Sequence, residues 1–434
     1  MNLFAQEALN DGVGKREVFA WAMYDFANSG YTTVVLTAVF SAYFVGVVAG
    51  GAAWATLAWT LAISASSLIV MLTMPAIGAY ADLRAAKKRL LALSTAGCVI
   101  ATAALALAGR GDVWLAVAAV LLSHTFYSYG ESLIAAFLPE LARDDAMGRV
   151  SGWGWSFGYL GGMLTLGLGL VYVATAQARG ESADAFVPVV MLITAAIYGL
   201  ASLATFAWLR ERSSPQTPTR AGGAGLRASL QRLALTWQQS RRFRDLRFLL
   251  ACCACYQAGI SVVITLAAVY AEQVLGFEQA DTMRLIFLVN IAAVAGAFAF
   301  GYWQDRVGYK RSLAFTLVGW FSMTLLAGFA TGPAMFWAAA VIAGLCMGSS
   351  QSAGRAMVGL LTPPDHKAEF FGLWSFATSL AVVAGPLTYG LITLATGGNH
   401  RVAILSTSLF FLVGLWLLMP IDMARGQRSA RSAA

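Results

Sequence analysis

Long apolar stretches alternate with short polar segments along the whole chain. A helix of about 18 or more apolar residues can cross the hydrocarbon core of a membrane, which is about 30 Å thick. The pattern predicts twelve such helices. Their predicted bounds are 18–48, 54–80, 89–108, 113–138, 149–176, 186–209, 247–272, 281–304, 311–330, 334–361, 368–395 and 401–422.

Composition favours an all-α membrane protein. The chain has 434 residues, of which 59% are hydrophobic and 12% are charged, whereas about a quarter of the residues of a soluble protein are charged. The spans are too long and continuous for the strands of a membrane barrel. The first 17 residues are polar, which predicts that no signal peptide is cleaved and that the first span directs insertion.

Lysine and arginine are distributed unequally between the two sides of the predicted membrane. The first residues, the tail and the loops after even-numbered spans are rich in both. The other loops hold only Arg110, Arg179, Arg284 and Arg401. The positive-inside rule therefore predicts a multi-pass protein of the cytoplasmic (inner) membrane with both termini in the cytoplasm. The net charge of +8 arises from these loops, so no nucleic-acid partner is expected.

Segment 210–246 divides the chain. It begins with serines, prolines and glycines and ends in an arginine-rich stretch with helically spaced apolar residues. These are Leu226, Leu230, Leu233, Leu235 and Trp237. We predict an N-terminal six-helix bundle at 1–209, a cytoplasmic basic linker at 210–246, and a C-terminal six-helix bundle with a short basic tail at 247–434. The basic helix is expected on the anionic lipid surface; a regulatory partner site is the alternative.

Two motifs recur at nearly the same offset. Gly78 and Asp82 precede a basic turn after the second span, and Gly301 and Asp305 do so after the eighth, 223 residues later. A second match, offset by 224, pairs Ser128, Gly130, Glu131 and Pro139 with Ser352, Gly354, Arg355 and Pro363. Two independent motifs at one spacing indicate that the halves of the chain are related.

The first of these motifs predicts a gate at the cytoplasmic end of the helices. An aspartate there can cap a neighbouring helix N-terminus and pair with loop arginines, which would hold that face shut. The alternative is that these loops only fix topology, which explains the basic residues but not the repeated glycine and aspartate. The predicted gate residues are Gly78, Asp82, Arg84, Gly301, Asp305, Arg306, Lys310 and Arg311.

This signature resembles that of the major facilitator superfamily. Further motifs resemble the bacterial branch of its "unknown major facilitator" family, which is related to vacuolar amino-acid effluxers of autophagy. They include Trp21-Ala-Met-Tyr-Asp25-Phe-Ala-Asn28, Gly148-Arg-Val-Ser-Gly152, Gln351-Ser-x-x-Arg355 and Gly385-Pro386. The resemblance implies two pseudo-symmetric six-helix bundles. One departure is Tyr256-Gln257-Ala258-Gly259 in the seventh span, where the family's pattern has an acidic residue.

Ionisable residues inside a membrane are functional candidates, because burying a charge in lipid is unfavourable. Glu131 lies eight residues before Pro139, which places it about 12 Å from the cytoplasmic end. Pseudo-symmetry predicts that Glu131 and Arg355 face each other across a central cavity. Arg355 would hold a substrate carboxylate or phosphate, and Glu131 would take a proton. A structural salt bridge between the halves is the alternative.

Further polar residues are expected along the same pathway. His124, Ser128 and Glu131 share one helix face at i, i+4 and i+7, which would turn toward Ser352 and Arg355. The complete predicted substrate and proton pathway is Asp25, Asn28, His124, Ser128, Glu131, Tyr256, Gln257, Gln351 and Arg355. His124 as a packing residue and Asp25 as a helix cap are the alternatives.

The sequence predicts a secondary active transporter of a small organic solute, proton-linked and in contact with membrane lipid. The single intramembrane arginine favours anionic or zwitterionic solutes such as amino acids or short peptides. No nucleotide-binding glycine-rich loop ending in Lys-Ser/Thr is present, and three histidines supply a metal site poorly. We therefore expect no cofactor, metal or enzymatic activity. A lipid or lysolipid flippase on the same fold and a non-transporting membrane receptor are the alternatives.

Overall fold

The computed structural model describes residues 4–52, 54–213, 243–277 and 279–432, and these form helices joined by short loops. The main helices are α1 (Lys15–Tyr31), α2 (Ala55–Arg84), α3 (Lys87–Ala104), α4 (Val113–Ala135), α5 (Met147–Ala178), α6 (Ala183–Trp208), α7 (Arg244–Leu275), α8 (Gln279–Val307), α9 (Tyr309–Gly328), α10 (Pro333–Leu361), α11 (Lys367–Ala395), α12 (His400–Leu418) and α13 (Met423–Arg431). The predicted amphipathic helix within 210–246 lies outside the described residues.

Eleven helices in the described part of the chain are long and apolar enough to cross a membrane. The other predicted span corresponds to α9, which has 20 residues and is therefore about 30 Å long. Several helices extend beyond their predicted polar ends. Thus α2 continues to Arg84 and α7 begins at Arg244, because apolarity marks the part of a helix inside the membrane and not where its hydrogen bonding ends.

Helix α1 continues beyond Tyr31 in an irregular form. Its continuation has π-helical stretches at Thr32–Ala38 and Phe44–Val48, separated by a short α-helical turn at Phe40–Tyr43. The first span thus runs from Lys15 to Val48. π-Helical segments are rare and are found frequently at functional sites.

The helices of each half pack mainly with one another, and the halves meet along two seams. Helix α1 packs on α5 and α6, and α8 packs on α10; between the halves, α2 packs on α11, and α5 packs on α8 and α10. The Tyr24 hydroxyl of α1 lies against Gly130 of α4, and the Tyr256 hydroxyl of α7 lies against Gly354 of α10. These matching contacts show that the sequence repeat is also a repeat of three-dimensional packing.

Glycines allow the close approach of α5 to α1. A Cβ atom at Gly158 would lie 2.8 Å from the Ser29 hydroxyl, and one at Gly162 would lie 2.7 Å from the Thr33 hydroxyl. Both distances are shorter than van der Waals contact, so larger residues would push the helices apart. Small residues at a spacing of four are common where membrane helices pack closely.

Candidate functional site

A buried ion pair joins the two halves of the chain. Arg355 of α10 is 2% exposed and donates from Nη1 to the Asp25 carboxylate of α1 at 2.7 Å. Its Nε and Nη2 groups donate to the hydroxyl and the carbonyl oxygen of Ser151 on α5, at 3.2 and 2.9 Å. Each guanidinium nitrogen therefore has a partner from the opposite half.

Aromatic rings flank this guanidinium group. The Arg355 Cζ atom lies 4.6 Å from the ring centroid of Trp21 and 5.2 Å from that of Trp155. The Trp21 indole donates to the carbonyl oxygen of Ile134 at 2.9 Å, which fixes its ring. A Cβ atom at Gly154 would lie 2.6 Å from both Arg355 Nη2 and the Trp21 ring, so glycine is required there. The rings add cation–π attraction where water is excluded.

Glu131 and Arg355 do not form the salt bridge between the halves that was the alternative, because the carboxylate bound to Arg355 is that of Asp25. Helix α10 packs on α5, and the arginine side chain reaches past α5 to α1. Glu131 is half-buried, and its carboxylate interacts with the Tyr127 hydroxyl of the same helix. It remains close enough to Asp25 and Arg355 to interact with both electrostatically.

The α4 face that holds His124, Ser128 and Glu131 was expected to turn toward Ser352 and Arg355, and within the described residues no hydrogen bond joins this face to Ser352. His124 is buried and its Nδ1 atom lies 2.8 Å from the Ser66 hydroxyl of α2. Ser352 instead donates to the Gly148 carbonyl oxygen at 3.3 Å. Ser128 is buried on α4. The helical repeat correctly placed these α4 residues on one face, but it could not predict which neighbouring helix that face would meet.

In the second half of the chain, a pair of neutral amides lies at the position equivalent to that of Asp25. Tyr24 and Tyr256 make matching contacts. The residues that follow them, Asp25 and Gln257, therefore occupy equivalent positions in the two halves. Gln257 donates to Gln351 at 2.5 Å, and Gln351 donates back at 3.2 Å. Both amides are half-buried. This pair therefore contains no ionisable group.

Asn28 lies one turn beyond Asp25 on α1. Its Oδ1 atom accepts a hydrogen bond from the Tyr198 hydroxyl of α6 at 2.7 Å. Its buried Nδ2 atom has no partner among the described residues. The Tyr198 contact directs the Asn28 side chain toward the interior of the first half.

At the basic end of the helices, Asp305 caps a helix of the opposite half. Its carboxylate accepts from the backbone N–H groups of Gly148 and Arg149, each at 3.1 Å, and pairs with the Arg149 side chain at 3.3 Å. These N–H groups belong to the first turn of α5, where helix N–H groups have no partner within the helix.

Asp82 makes the matching contact on the other side of the interface. Its carboxylate accepts from the backbone N–H of Glu369, in the first turn of α11, at 2.9 Å. A Cβ atom at Gly78 would overlap the carbonyl group of Ala368, and one at Gly301 would lie 3.2 Å from the Gly148 carbonyl oxygen. Both glycines therefore let the halves pack closely beside their aspartates.

Four of the predicted gate residues do not join the halves. Arg84, Arg306 and Arg311 are exposed, and Lys310 donates to the carbonyl oxygens of Met419 and Ile421 at 2.6 and 2.8 Å, at the end of α12. The arginine that pairs with Asp305 is Arg149 of the other half. The positive-inside bias placed many arginines near the motif, and sequence spacing alone could not identify the one in contact.

Three residues that contact the ionisable groups of the site or the gate were not predicted from the sequence. They are Ser151, Arg149 and Tyr127. The first two lie in the Gly148–Gly152 motif, which was noted only for its family resemblance. Tyr127 lies one turn before Glu131, at the position that Gln351 occupies relative to Arg355. The repeat was therefore the signal that could have identified it.

No group of three metal-ligating side chains is found within the described residues. The five cysteines form no disulfide, and four of them are buried. They pack as small apolar residues.

Comparison with known proteins identifies the fold and the family. The family described as "Vacuole effluxer Atg22 like" matches residues 45–431. The uncharacterized MFS-type transporter YxiO of Bacillus subtilis is 26% identical over 92% of this chain and 93% of its own length. Autophagy-related protein 22-1 of Aspergillus fumigatus is 26% identical over 66% of this chain, which spans only 50% of that fungal protein.

Solved structures agree at the level of fold. The human organic anion transporter MFSD10 (TETRAN) superposes with a TM-score of 0.72 at 16% identity, over 93% of this chain and 99% of its own. A bacterial homologue of the iron transporter ferroportin, in its outward-facing state, gives 0.69 at 13% identity, over 93% and 98%. The chain therefore belongs to the Atg22-like family of the major facilitator superfamily and is a membrane transporter, not an enzyme.

Proposed function

We propose that this protein is a proton-linked secondary transporter that moves a small anionic or zwitterionic organic solute, such as an amino acid or a short peptide, by alternating access. The observation that carries this proposal is the Asp25–Arg355 ion pair. It is buried and lies between the halves that alternating access must move apart.

Separation of α10 from α1 and α5 would leave both members of the pair without a partner. An unpaired charge buried in a protein is unfavourable by several kcal/mol, roughly 3–5 when one partner of a buried pair is removed. A proton on Asp25 removes one charge, and a substrate carboxylate on Arg355 neutralises the other. Proton and solute together thus replace the contact that the movement breaks.

Arg355 is therefore the proposed substrate ligand only after Asp25 releases it, because its nitrogens are engaged in this state. The half-buried amides of Gln257 and Gln351 offer neutral donors and acceptors one turn away along α10. Asn28, His124, Ser128, Glu131 and Tyr256 complete the proposed pathway.

We further propose that the capped, basic end of the helices is the cytoplasmic gate and that this is the outward-facing arrangement. Asp82 and Asp305 each hold a helix of the opposite half, and the arginine distribution supports this orientation. In the proposed topology α9 also crosses the membrane, which brings the number of spans to twelve. Both termini are then cytoplasmic, and the membrane is the cytoplasmic membrane. Segment 210–246 is then a linker between bundles at 1–209 and 247–434.

Two comparisons and one contact support a preference for amino acids and other carboxylates. The matching family is described as a vacuole effluxer, and one structural neighbour is an organic anion transporter. The partner that Arg355 already binds is a carboxylate, the group that an amino acid or organic anion would present to it.

A ligand screen followed by transport assays tests this function. Purified protein is heated with amino acids, short peptides and organic anions, and solutes that raise its Tm are tested by counterflow in proteoliposomes. We expect at least one carboxylate solute to exchange, and Arg355→Gln to abolish the exchange. Failure of every solute to exchange, or exchange by folded Arg355→Gln protein at the wild-type rate, would contradict the proposal.

A further inference from the structure

We propose that α4 conducts protons to the Asp25–Arg355 pair through a line of three side chains: His124, Tyr127 and Glu131. These residues lie at i, i+3 and i+7, on one face of the helix. The proposal rests on the proton linkage of the proposed function, and its test requires no transported solute.

Hydrogen-bond directions set the tautomer of His124. The Thr125 hydroxyl donates to the carbonyl oxygen of Leu121 at 2.7 Å. The Ser66 hydroxyl must therefore donate to Thr125, at 2.9 Å, and it accepts from His124 Nδ1 at 2.8 Å. Neutral His124 then carries its proton on Nδ1 and a lone pair on Nε2. Nε2 can take a second proton without disturbing Ser66.

Tyr127 lies between His124 and Glu131. The centroid of its ring is 5.9 Å from that of His124 and 5.2 Å from that of Tyr31, on which it stacks. The Tyr31 hydroxyl is hydrogen-bonded to Ser123 at 2.8 Å, which fixes the stack. The Tyr127 hydroxyl interacts with Glu131, and a phenol hydroxyl can donate one proton while it accepts another.

Glu131 ends the line beside the ion pair. The titratable and charged groups that act on it are Tyr127 of its own helix, Asp25 of α1 and Arg355 of α10. Within the described residues, no basic group lies within 4 Å of its carboxylate. Its proton can therefore exchange without breaking a salt bridge.

The second half of the chain serves as an internal comparison. At an offset of 224 residues, the positions of His124, Tyr127 and Glu131 are occupied by Gly348, Gln351 and Arg355. None of these three titrates near neutral pH. The two halves share their packing, so the fold does not require a titratable line, and its presence in the first half alone indicates a function.

The proton transfers balance at each step. A hydronium ion gives a proton to His124 Nε2 and leaves as water; imidazolium Nε2–H then gives a proton to the Tyr127 oxygen while the Tyr127 O–H proton passes to Glu131. Glu131 passes this proton to Asp25, which releases Arg355, and a second proton delivered by the same route stays on Glu131. His124 and Tyr127 are restored after each passage, and each passage moves one proton.

Infrared spectroscopy after a pH jump tests the line in the reconstituted full-length protein. The carboxyl band of Glu131 is identified by its loss in Glu131→Gln. We expect His124→Gln and Tyr127→Phe to slow the rise of this band by at least about tenfold, a modest value for a proton-transfer group, with an unchanged final amplitude. Tyr129→Phe is the matched control, because its hydroxyl lies on α4 but bonds to Thr73 at 2.5 Å, and it should leave the rate unchanged.

A purely structural role would change the amplitude and not the rate. Wild-type rates in Tyr127→Phe, a changed amplitude at wild-type rate, or no band lost in Glu131→Gln would each overturn the proposal. If His124→Gln does not fold, Tyr127→Phe, which removes one oxygen atom, decides alone. Failure here leaves solute counterflow untouched, so the two proposals fail separately.

Discussion

Asp25 and Arg355 are 330 positions apart in the chain, yet the Oδ2 atom of one lies 2.7 Å from the Nη1 atom of the other. Removing two charges from water is unfavourable, and their attraction compensates only when further hydrogen bonds satisfy the remaining donors. Ser151 supplies two such bonds. The pair is therefore a weak source of stability but a sensitive point at which charge controls the contact between halves.

Asp25→Asn should destabilise the protein and abolish transport. It leaves the buried charge of Arg355 without its carboxylate, at an expected loss of about 3–5 kcal/mol, measured as a lower Tm in detergent. The double variant Asp25→Asn/Arg355→Gln should regain most of the lost Tm but no transport. A double variant no more stable than Asp25→Asn alone would show that the pair does not act as a unit.

Much of the architecture could be predicted from sequence, because lipid imposes a simple rule on every span. Apolar length located eleven of the predicted spans within the described residues, and the repeat placed Gly130 and Gly354 at positions that make matching contacts. The partner of Arg355 could not be predicted, since it depends on α10 packing against α5 and on Gly154 leaving space for the guanidinium. Such contacts depend on how three helices pack together. The periodicity of residues along one helix does not contain that information.

Loss of the aspartate caps should open the basic end of the bundle. Asp305→Ala removes the acceptor of two N–H groups of α5, and loss of a cap destabilises by about 0.5–2 kcal/mol. We expect faster maleimide labelling of Ser128→Cys from the cytoplasmic side, in protein whose five native cysteines are replaced. Asp281→Ala, which removes an exposed pair with Arg284, is the control. Equal labelling in both variants would argue against a gate.

Gly78, in the contact between α2 and α11, should be as important for closing the basic end as the aspartate caps are. Gly78→Ala places a methyl group on the backbone of Ala368 and should loosen the contact of α2 with α11. Gly167→Ala is the matched control, because nothing lies within 4 Å of a Cβ atom there. In the same labelling assay only Gly78→Ala should increase cytoplasmic access; a similar effect of both would indicate a general response to helix substitution.

Lys87 and Glu140 form a second buried pair, within the first half. Lys87 is 0% exposed and lies over the Phe137 ring. Lys87→Met should lower the free energy of unfolding by about 3–5 kcal/mol by leaving the carboxylate without its ammonium group, while transport per folded molecule persists. Arg89→Met, at an exposed position of the same helix, should change the Tm little. Loss of transport in well-folded Lys87→Met protein would assign this pair to the transport pathway.

Proton linkage through Asp25 is tested most directly by uptake of exchanging solutes into proteoliposomes, with and without an imposed pH gradient. Wild-type protein should accumulate the solute only when the gradient is present. Asp25→Asn should not respond to the gradient at all. Equal wild-type uptake with and without the gradient, or a gradient response that persists in Asp25→Asn, would contradict proton-linked transport through this ion pair.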